Sequence, residues 1–282
     1  MASQSATDQQ LLEAAQAGDQ RAIEALLLKH QDRIYRFGMR FCGDASDAED
    51  VTQETLLAMA KALPRFEGRA SLSTWLYSVA RSFCIKKRRK SKFAPNELQP
   101  LDEAAERSRE PTKSAAGEPE AALEAKQLEH ELERAIRGLD PEQREVLILR
   151  DIEGLSAAEV AQVLDLSVSA VKSRLHRARL KVREHMAPFL RSDPLPQAAG
   201  SQCPDVLSLY SRHLEGEIEA SVCQAMQAHV EACPRCSAVC DSLKQTLALC
   251  GAASTAQVPP EVQQAVRRAL REFLADPGSP TA

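Results

Sequence analysis

Apolar residues recur at helical spacing along most of the chain, and no stretch keeps the alternation that a half-buried strand requires. Between residues 44 and 63 one helix is predicted, with an apolar face formed by Val51, Ala58, Met59 and Leu63. A second helix follows a short loop, and its apolar face comprises Leu72, Trp75, Leu76, Val79 and Phe83. This periodicity, together with abundant alanine, leucine and glutamate, predicts an all-α protein.

This helix pair carries charges of opposite sign at its two ends. At the acidic end Asp47, Asp50 and Glu54 lie at i, i+3 and i+7 and therefore share one helix face. The basic end is a cluster that comprises Lys86, Lys87, Arg88, Arg89, Lys90 and Lys92. Cations along a backbone beside aromatic side chains suit the binding of unpaired bases. Each piece alone also fits a solvated face or, for Trp75, a plain core position, so the interpretation rests on the joint pattern.

Two segments of this region, 47-DAEDVTQE-54 and 73-STWLYSVAR-81, resemble region 2 of the extracytoplasmic-function (ECF) sigma factors. These are promoter-specificity subunits of bacterial RNA polymerase. The resemblance implies that Asp47, Asp50, Gln53 and Glu54 dock on core polymerase. It also implies contacts to the −10 promoter element by Arg65, Phe66, Arg69, Trp75, Arg81, Ser82, Lys86, Arg88 and Arg89. Ser82 stands where the family usually has asparagine.

A helix-turn-helix is predicted further along the chain. Asp140-Pro141 is a helix start with a capping carboxylate, and Gly154 is a helix stop. Ser156 and Glu159 have the spacing of a capping box. After a tight turn at 165–167, the last helix has the inward positions Val171, Leu175, Ala178 and Val182. Its remaining surface is predicted to carry Lys172, Arg174, Arg177, Arg179, Lys181 and Arg183, as expected for a helix that enters the major groove.

The run 169-SAVKSRLHRAR-179 resembles sigma region 4, which recognises the −35 promoter element. On that resemblance the DNA-binding candidates are Lys172, Ser173, Arg174, His176, Arg177 and Arg179. Asp165 stands where the family often has glycine, and aspartate tolerates positive φ better than most residues. The alternative, a helix-turn-helix regulator that never contacts core polymerase, would explain 140–186 but leave 44–92 unexplained.

Six of the eight cysteines fall between residues 203 and 250, whereas Cys42 and Cys84 are separate and are expected to be small core residues. In a cytoplasmic protein, clustered cysteines more often bind metal than form stable disulfides. His229 and Cys233 at i, i+4, followed by Cys236, predict three ligands of a tetrahedral zinc site. Cys203 is the preferred fourth ligand; Cys223, Cys240 and His213 are the alternatives.

Together with the upstream segment 213-HLEGEI-218, this cysteine pattern resembles the zinc-binding anti-sigma domain, which normally belongs to a separate protein that sequesters its sigma factor. The resemblance implies regulation in cis, through contact between the zinc module and the sigma domains. A purely structural zinc is equally compatible with the pattern. The additional thiols would suit a redox or metal switch.

Length and composition fit this organisation. The net charge of −4 averages an acidic docking helix and linker with two basic DNA-binding helices. No apolar stretch approaches the ~20 residues of a membrane span, and no cleavable signal is evident, so a cytoplasmic protein is expected. No catalytic motif supports an enzyme. The predicted units are region 2 (8–92), an acidic linker (93–125), region 4 (126–187), a second linker (188–201), the zinc module (202–250) and a tail with an amphipathic helix (251–282).

Overall fold

The computed structural model describes residues 2–93, 119–190, 203–253 and 258–275, and within these ranges the chain forms twelve α-helices and no β-strand. The acids Asp102, Glu103 and Glu106 of the predicted linker lie outside the described residues. The helices are α1 (Ala2–Gln16), α2 (Gln20–Cys42), α3 (Ala45–Ala62), α4 (Leu72–Phe93), α5 (Pro119–Arg137), α6 (Pro141–Leu147), α7 (Ala157–Leu164), α8 (Val168–Met186), α9 (Val206–Leu214), α10 (Ala220–Ala232), α11 (Pro234–Ala252) and α12 (Pro260–Ala275). The all-α prediction is confirmed.

Helices α1–α4 form the unit that carries the predicted region 2. Asp19 caps α2 by accepting hydrogen bonds from the first-turn amides, and Gly43 ends it with φ of 83°. Asp44 then caps α3, so the chain reverses direction within two residues. Phe37 and Tyr77 are fully buried between these helices. The tight reversal places the acidic helix α3 directly against α2 and α4.

Helices α6–α8 form the predicted helix-turn-helix. The Ser156–Glu159 capping box is present at the start of α7, and Asp165 ends that helix with φ of 55°. The four predicted inward positions of α8 are buried, which confirms the helix periodicity. One expectation is wrong: the Asp140 side chain makes no capping hydrogen bond and instead accepts one from Lys181 at 2.6 Å. The Lys181 ammonium on α8 therefore binds the carboxylate that was expected to cap α6.

The predicted sigma regions share one apolar core. Buried side chains from α1 to α8 form a continuous cluster, which also includes Cys250 of α11 and Val266 of α12. Helix α4 packs against α7, and α11 packs against α5, α8 and the π-helical turn Ile148–Ile152. The two predicted sigma regions are thus folded against each other, with the C-terminal part of the chain packed on both.

The C-terminal part consists of a small helical module and a separate tail helix. Helices α9–α11 enclose Val206, Cys233, Cys236 and Cys240 in a core of their own. The sequence placed Cys233 on a helix with His229, but α10 ends at Ala232 and Cys233 has extended backbone between two helices. The residues that follow α11 lead to α12, which packs on α2 and α3. Val258 and Val262 lie there against Tyr35 and Ala48.

Cys42 and Cys84 form a disulfide that joins the end of α2 to the middle of α4. The sequence predicted two separate core thiols, and both sulfurs do pack against the main core. The prediction missed the pairing because two cysteines at a sequence separation of 42 give no indication that α2 and α4 approach at this point.

Candidate nucleic-acid interface and metal centre

The cationic helix α8 presents two different stripes. Lys172, His176, Arg179 and Arg183 follow one another at intervals of four, three and four residues and face the zinc module. Ser173 and Arg177 lie on a neighbouring stripe and are exposed. The predicted −35 contacts are therefore divided between a covered stripe and an open one.

Arg179 is the centre of the covered stripe. Its side chain is 2% exposed and donates to Asp151 at 2.8 and 2.6 Å and to Glu215 at 2.8 Å. Burial opposes its charged form, but the hydrogen bonds and charges of Asp151 and Glu215 outweigh that effect and raise the pKa of Arg179. The sequence placed this arginine on the surface, and the structure corrects that expectation. Asp151 belongs to the same DNA-binding unit, whereas Glu215 belongs to the module.

Residues on either side of Arg179 are held by the same module. Lys172 donates to the Glu215 carbonyl at 2.8 Å and lies 3.6 Å from the Glu217 carboxylate. Arg183 donates to Ser242 of α11 at 2.7 Å. Burial lowers the pKa of His176 and so favours the neutral imidazole. The acidic turn, defined as Glu215, Gly216 and Glu217, thus covers residues of α8 that the sequence predicted to contact DNA.

Of the remaining −35 candidates, Arg174 is paired with Glu142 of α6 at 3.0 Å. Arg177 makes only a local bond to the Ser173 carbonyl, at 3.3 Å. Arg177 and Ser173 are consequently the two candidates that the structure leaves exposed.

The −10 candidates also fall into open and occupied groups. Phe66 lies edge-on to Trp75, with ring centroids 6.2 Å apart, and both are half-buried. Arg81 pairs with Glu145 of α6 at 3.0 Å, and Arg88 lies 3.8 Å from the same carboxylate. The exposed members are Arg65, Arg69, Ser82, Lys86 and Arg89.

The predicted docking carboxylates lie on α3 as expected, but they are not all free. Lys87 of α4 forms an ion pair with Asp50 and lies 3.9 Å from Asp47. The hydrogen bond to Asp50 raises the pKa of Lys87. Gln53 is exposed and Glu54 half-buried. The acidic face is therefore partly neutralised from within the same unit.

Three glutamates of the predicted region 4 form hydrogen bonds or ion pairs with the predicted region 2. Glu145 pairs with Arg81 as described, and Glu153 accepts a hydrogen bond from the buried Tyr77 hydroxyl. Glu159 accepts a hydrogen bond from Ser71 at the start of α4 at 3.0 Å, while it also closes the capping box of α7. Polar contacts between these units thus involve surfaces that the sequence assigned to promoter DNA.

Cys203, His229, Cys233 and Cys236 meet at one point, with all four ligand atoms within 4.8 Å of one another. The Cys203 and Cys233 sulfurs are 3.9 Å apart, and His229 Nε2 is 3.3 Å from the Cys236 sulfur. Zinc bonds of ~2.3 Å to sulfur and ~2.0 Å to nitrogen in a tetrahedron require separations of roughly 3.5–3.8 Å. The four side chains therefore fit a zinc ion.

The other candidate ligands lie elsewhere. His213 and Cys223 contact each other at 3.4 Å, and Cys240 is buried in the module core. Of the alternatives left open by the sequence, Cys203 is the one that joins the cluster.

Sequence reasoning missed the acidic turn as a functional element. Glu215 and Glu217 were noted only as part of a zinc-module motif, because nothing in their spacing indicates a partner 36 residues away on α8. The sequence feature that could have identified this turn is charge complementarity, because a short acidic segment follows a helix with a row of cations.

Three family models match the chain. Sigma-70 region 2 matches residues 26–93, and Sigma-70, region 4 matches residues 129–182. A family described as "Putative zinc-finger" matches residues 203–237. These matches define a two-domain transcription initiation factor with a zinc-finger module behind it.

Curated relatives agree with this class. The RNA polymerase sigma-H factor of Pseudomonas aeruginosa is 33% identical over 188 residues, which cover 65% of this chain and 96% of the relative. The ECF RNA polymerase sigma factor SigE of Mycolicibacterium smegmatis is 31% identical over 173 residues, covering 60% of this chain and 65% of the relative. The ECF sigma-E factor of Escherichia coli is 29% identical, covering 67% of this chain and 99% of the relative.

Among solved structures, the chain is similar to CnrH in complex with the cytosolic domain of CnrY. The identity is 28%, the TM-score is 0.45, and the match covers 64% of this chain and 98% of that one. Among the described residues no helix combines the length and apolar character needed to cross a membrane. The chain belongs to the sigma-70 family of RNA polymerase sigma factors, in its ECF group, and directs promoter-specific transcription initiation rather than catalysing a reaction.

Proposed function

We propose that this sigma factor switches between the closed arrangement described above and an open one that binds core RNA polymerase in the cytoplasm and promoter DNA. In the open form Asp47, Asp50, Gln53 and Glu54 dock on core polymerase. The −10 element is bound around Trp75 and the basic end of α4. Ser173 and Arg177 contact −35 bases, and Lys172 and Arg174 neutralise phosphates.

The closed arrangement is too compact to bind both promoter elements. The −35 and −10 elements are about 25 base pairs apart, or roughly 85 Å at ~34 Å per turn. Helices α4 and α8 both pack on α7, and packed helices lie ~8–10 Å apart, which brings the two DNA-binding helices within about 20 Å. The 25 residues from 94 to 118 could span at most roughly 90 Å when extended. Binding of both promoter elements at once therefore requires the two units to separate, and the segment that connects them is long enough to allow this.

The observation that carries the regulatory part is the Arg179–Glu215 ion pair, because it joins the DNA-binding helix to the module through two side chains that are nearly inaccessible to water. Arg179 keeps its hydrogen bonds to Asp151 when the module leaves, so opening loses the contact to Glu215, and a hydrogen bond to a charged group contributes about 1.5–3 kcal/mol. When the chain must open before it binds core polymerase, its apparent affinity equals the affinity of the open form multiplied by the fraction of molecules that are open. The module thus acts as an inhibitor in cis.

Zinc is proposed to hold the module in shape. Cys203, His229, Cys233 and Cys236 supply the nitrogen and sulfur ligands that a closed, four-coordinate structural site uses. Cys203 precedes α9, and the other three connect α10 and α11, so one ion would tie together all three helices that surround the acidic turn.

The proposal is tested by measuring core polymerase binding to three proteins: the full chain, the full chain with Glu215→Gln, and a fragment ending at Ser192. This assay needs no knowledge of the promoter. The fragment and the Glu215→Gln chain are expected to bind at least about tenfold more tightly than the unchanged chain, which corresponds to the lower end of that contribution. Glu231→Gln, at an exposed position of the same module, is the matched control and should behave as the unchanged chain.

Equal binding by all four proteins would refute inhibition in cis while leaving the sigma assignment intact. Tighter binding by the full chain than by the fragment would show that the module supports the active form. Absence of binding by every protein would contradict the docking assignment.

A further inference from the structure

The Cys42–Cys84 disulfide lies beside the proposed docking face. Cys42 is the last residue of α2 and half-buried, and Gly43 and Asp44 lead from it directly into α3. Cys84 is fully buried in α4, and the two Cα atoms are 5.5 Å apart, a separation that a disulfide accommodates. The crosslink thus joins the helix that precedes the docking helix to the helix that follows it.

One helical turn beyond Cys84, Lys87 forms its ion pairs with Asp50 and Asp47. A covalent bond at Cys84 fixes this part of α4 against α2, and so keeps the Lys87 ammonium within reach of the docking carboxylates. Core polymerase must displace Lys87 to use those carboxylates. A single turn of α4 therefore separates the crosslink from the lysine that pairs with the docking carboxylates.

Cys42 differs in access from the buried thiols Cys240 and Cys250, and it differs from Cys223, which is also half-buried, in having a second cysteine as its partner. Cys250 is enclosed in the core, and burial raises its pKa to about 12, which makes it a poor nucleophile. Cys240 is buried in the module core. Cys42 combines partial exposure with a second cysteine already in position to resolve it.

We propose that Cys42 and Cys84 are a redox-active pair that weakens core polymerase docking when oxidised. This inference rests on the proposed docking role of Asp47 and Asp50. Cytoplasmic thiols are kept reduced, so the disulfide corresponds to the oxidised state of the protein.

The oxidant is a hydroperoxide. The Cys42 thiol first loses its proton, and the thiolate attacks the terminal peroxide oxygen. The O–O bond breaks, Cys42 becomes a sulfenic acid, and the departing alkoxide takes up a proton equivalent to the one that the thiol released, which gives an alcohol (water, for hydrogen peroxide). The Cys84 sulfur then attacks the sulfenic sulfur, its proton is transferred to the departing hydroxide, and water is released. Two thiols are oxidised by two electrons and one peroxide bond is reduced. Exchange with a dithiol restores the pair.

The test uses the full chain and the Glu215→Gln chain, each reduced and then treated with hydrogen peroxide. Peptide mapping detects a linked pair of peptides containing residues 42 and 84, and core polymerase binding is measured for both oxidation states. The oxidised form should bind roughly fivefold more weakly, the effect of retaining one exposed ion pair. The variant Cys42→Ala, Cys84→Ala should bind equally with and without peroxide, whereas Cys223→Ala should keep the difference.

Failure to recover the linked peptides would overturn the site. Equal binding by the oxidised and reduced forms, or a peroxide effect that survives in the double variant, would overturn its role in docking. If the linked peptides form but neither oxidation state binds core polymerase, the docking assignment fails and the modification site stands.

Discussion

Arg177 and Arg179 are two residues apart on the same cationic helix, yet the structure gives them opposite environments. Arg177 is exposed, whereas Arg179 is enclosed by Asp151 and Glu215. Helical periodicity places both outside the strict apolar stripe of α8, so the sequence predicted a surface position for each. The difference arises from partners on other elements, which no local pattern encodes.

Arg177→Ala should lower the free energy of discrimination between bases of the −35 element by about 1–3 kcal/mol, because a good bidentate contact to a base edge contributes that much. Stability should change by less than about 0.5 kcal/mol, as is usual for an exposed position. The measurement is competition between selected and scrambled −35 sequences for the polymerase that carries the fragment ending at Ser192, together with a urea titration of the full chain.

Arg179→Ala is the contrasting substitution. It should destabilise the full chain by about 3–5 kcal/mol, since the buried Asp151 carboxylate would lose its partner and Glu215 would keep only Arg150, at 3.3 Å. The same urea titration reports this difference. A stability loss for Arg177→Ala equal to that of Arg179→Ala would contradict the division of α8 into an open and a covered stripe.

At the scale of elements, several features of the helix-turn-helix were predicted correctly because their signals are local. The Ser156–Glu159 box, the positive φ of Asp165 and the inward face of α8 all follow from residues within one or two turns. The placement of α12 could not be predicted in this way. The amphipathic pattern of α12 predicts that this helix packs on an apolar surface. It does not determine which apolar surface of the protein that is.

In the structure α12 lies on α2 and α3, where Val258 and Val262 cover Tyr35 and Ala48. Ala48 follows the docking candidate Asp47 in the chain, so the tail helix borders the proposed docking face. Truncation after Ala253 should therefore strengthen core polymerase binding by the full chain, while the Arg179–Glu215 pair stays in place. The measurement compares core binding and the stability of the truncated and intact chains.

A matched control for the truncation is Val262→Asp, which should loosen the tail helix without shortening the chain. Agreement between the two proteins would assign the effect to the helix contact. Unchanged core binding in both would place the docking surface away from α12.

At the scale of the whole molecule, the sequence predicted the components more completely than their assembly. The two sigma units and the zinc-module motif were recognisable from their resemblance to known families. Spacing predicted that His229, Cys233 and Cys236 lie together, and Cys203 was the preferred fourth member among several alternatives. The contacts between units join Glu145, Glu153, Glu159 and Glu215 to residues tens of positions away along the chain. Such pairs depend on how the units pack, which composition alone does not determine.

Removal of zinc should act on the assembly rather than on the sigma units. Apparent binding energies of structural zinc are ~10–16 kcal/mol, enough to decide whether so small a module folds. A chelator should therefore increase core polymerase binding by the full chain, and should have no effect on the fragment ending at Ser192. Helical content, followed by circular dichroism, should fall only in the full chain.

Cys203→Ser should reproduce the effect of the chelator, and Cys223→Ser, which lies outside the ligand cluster, should not. Loss of core binding on chelation would mean that the folded module assists the sigma factor.

The location of the proposed inhibitory turn on the same chain as its target has a consequence for dosage. A separate inhibitor can be outnumbered when a cell makes more sigma factor than inhibitor. Here every copy carries its own Glu215, and the local concentration of that carboxylate near Arg179 is set by the connecting chain, not by expression. Raising the amount of this protein should therefore raise its output only in proportion, without a threshold, and a disproportionate response would require a signal that acts on each molecule.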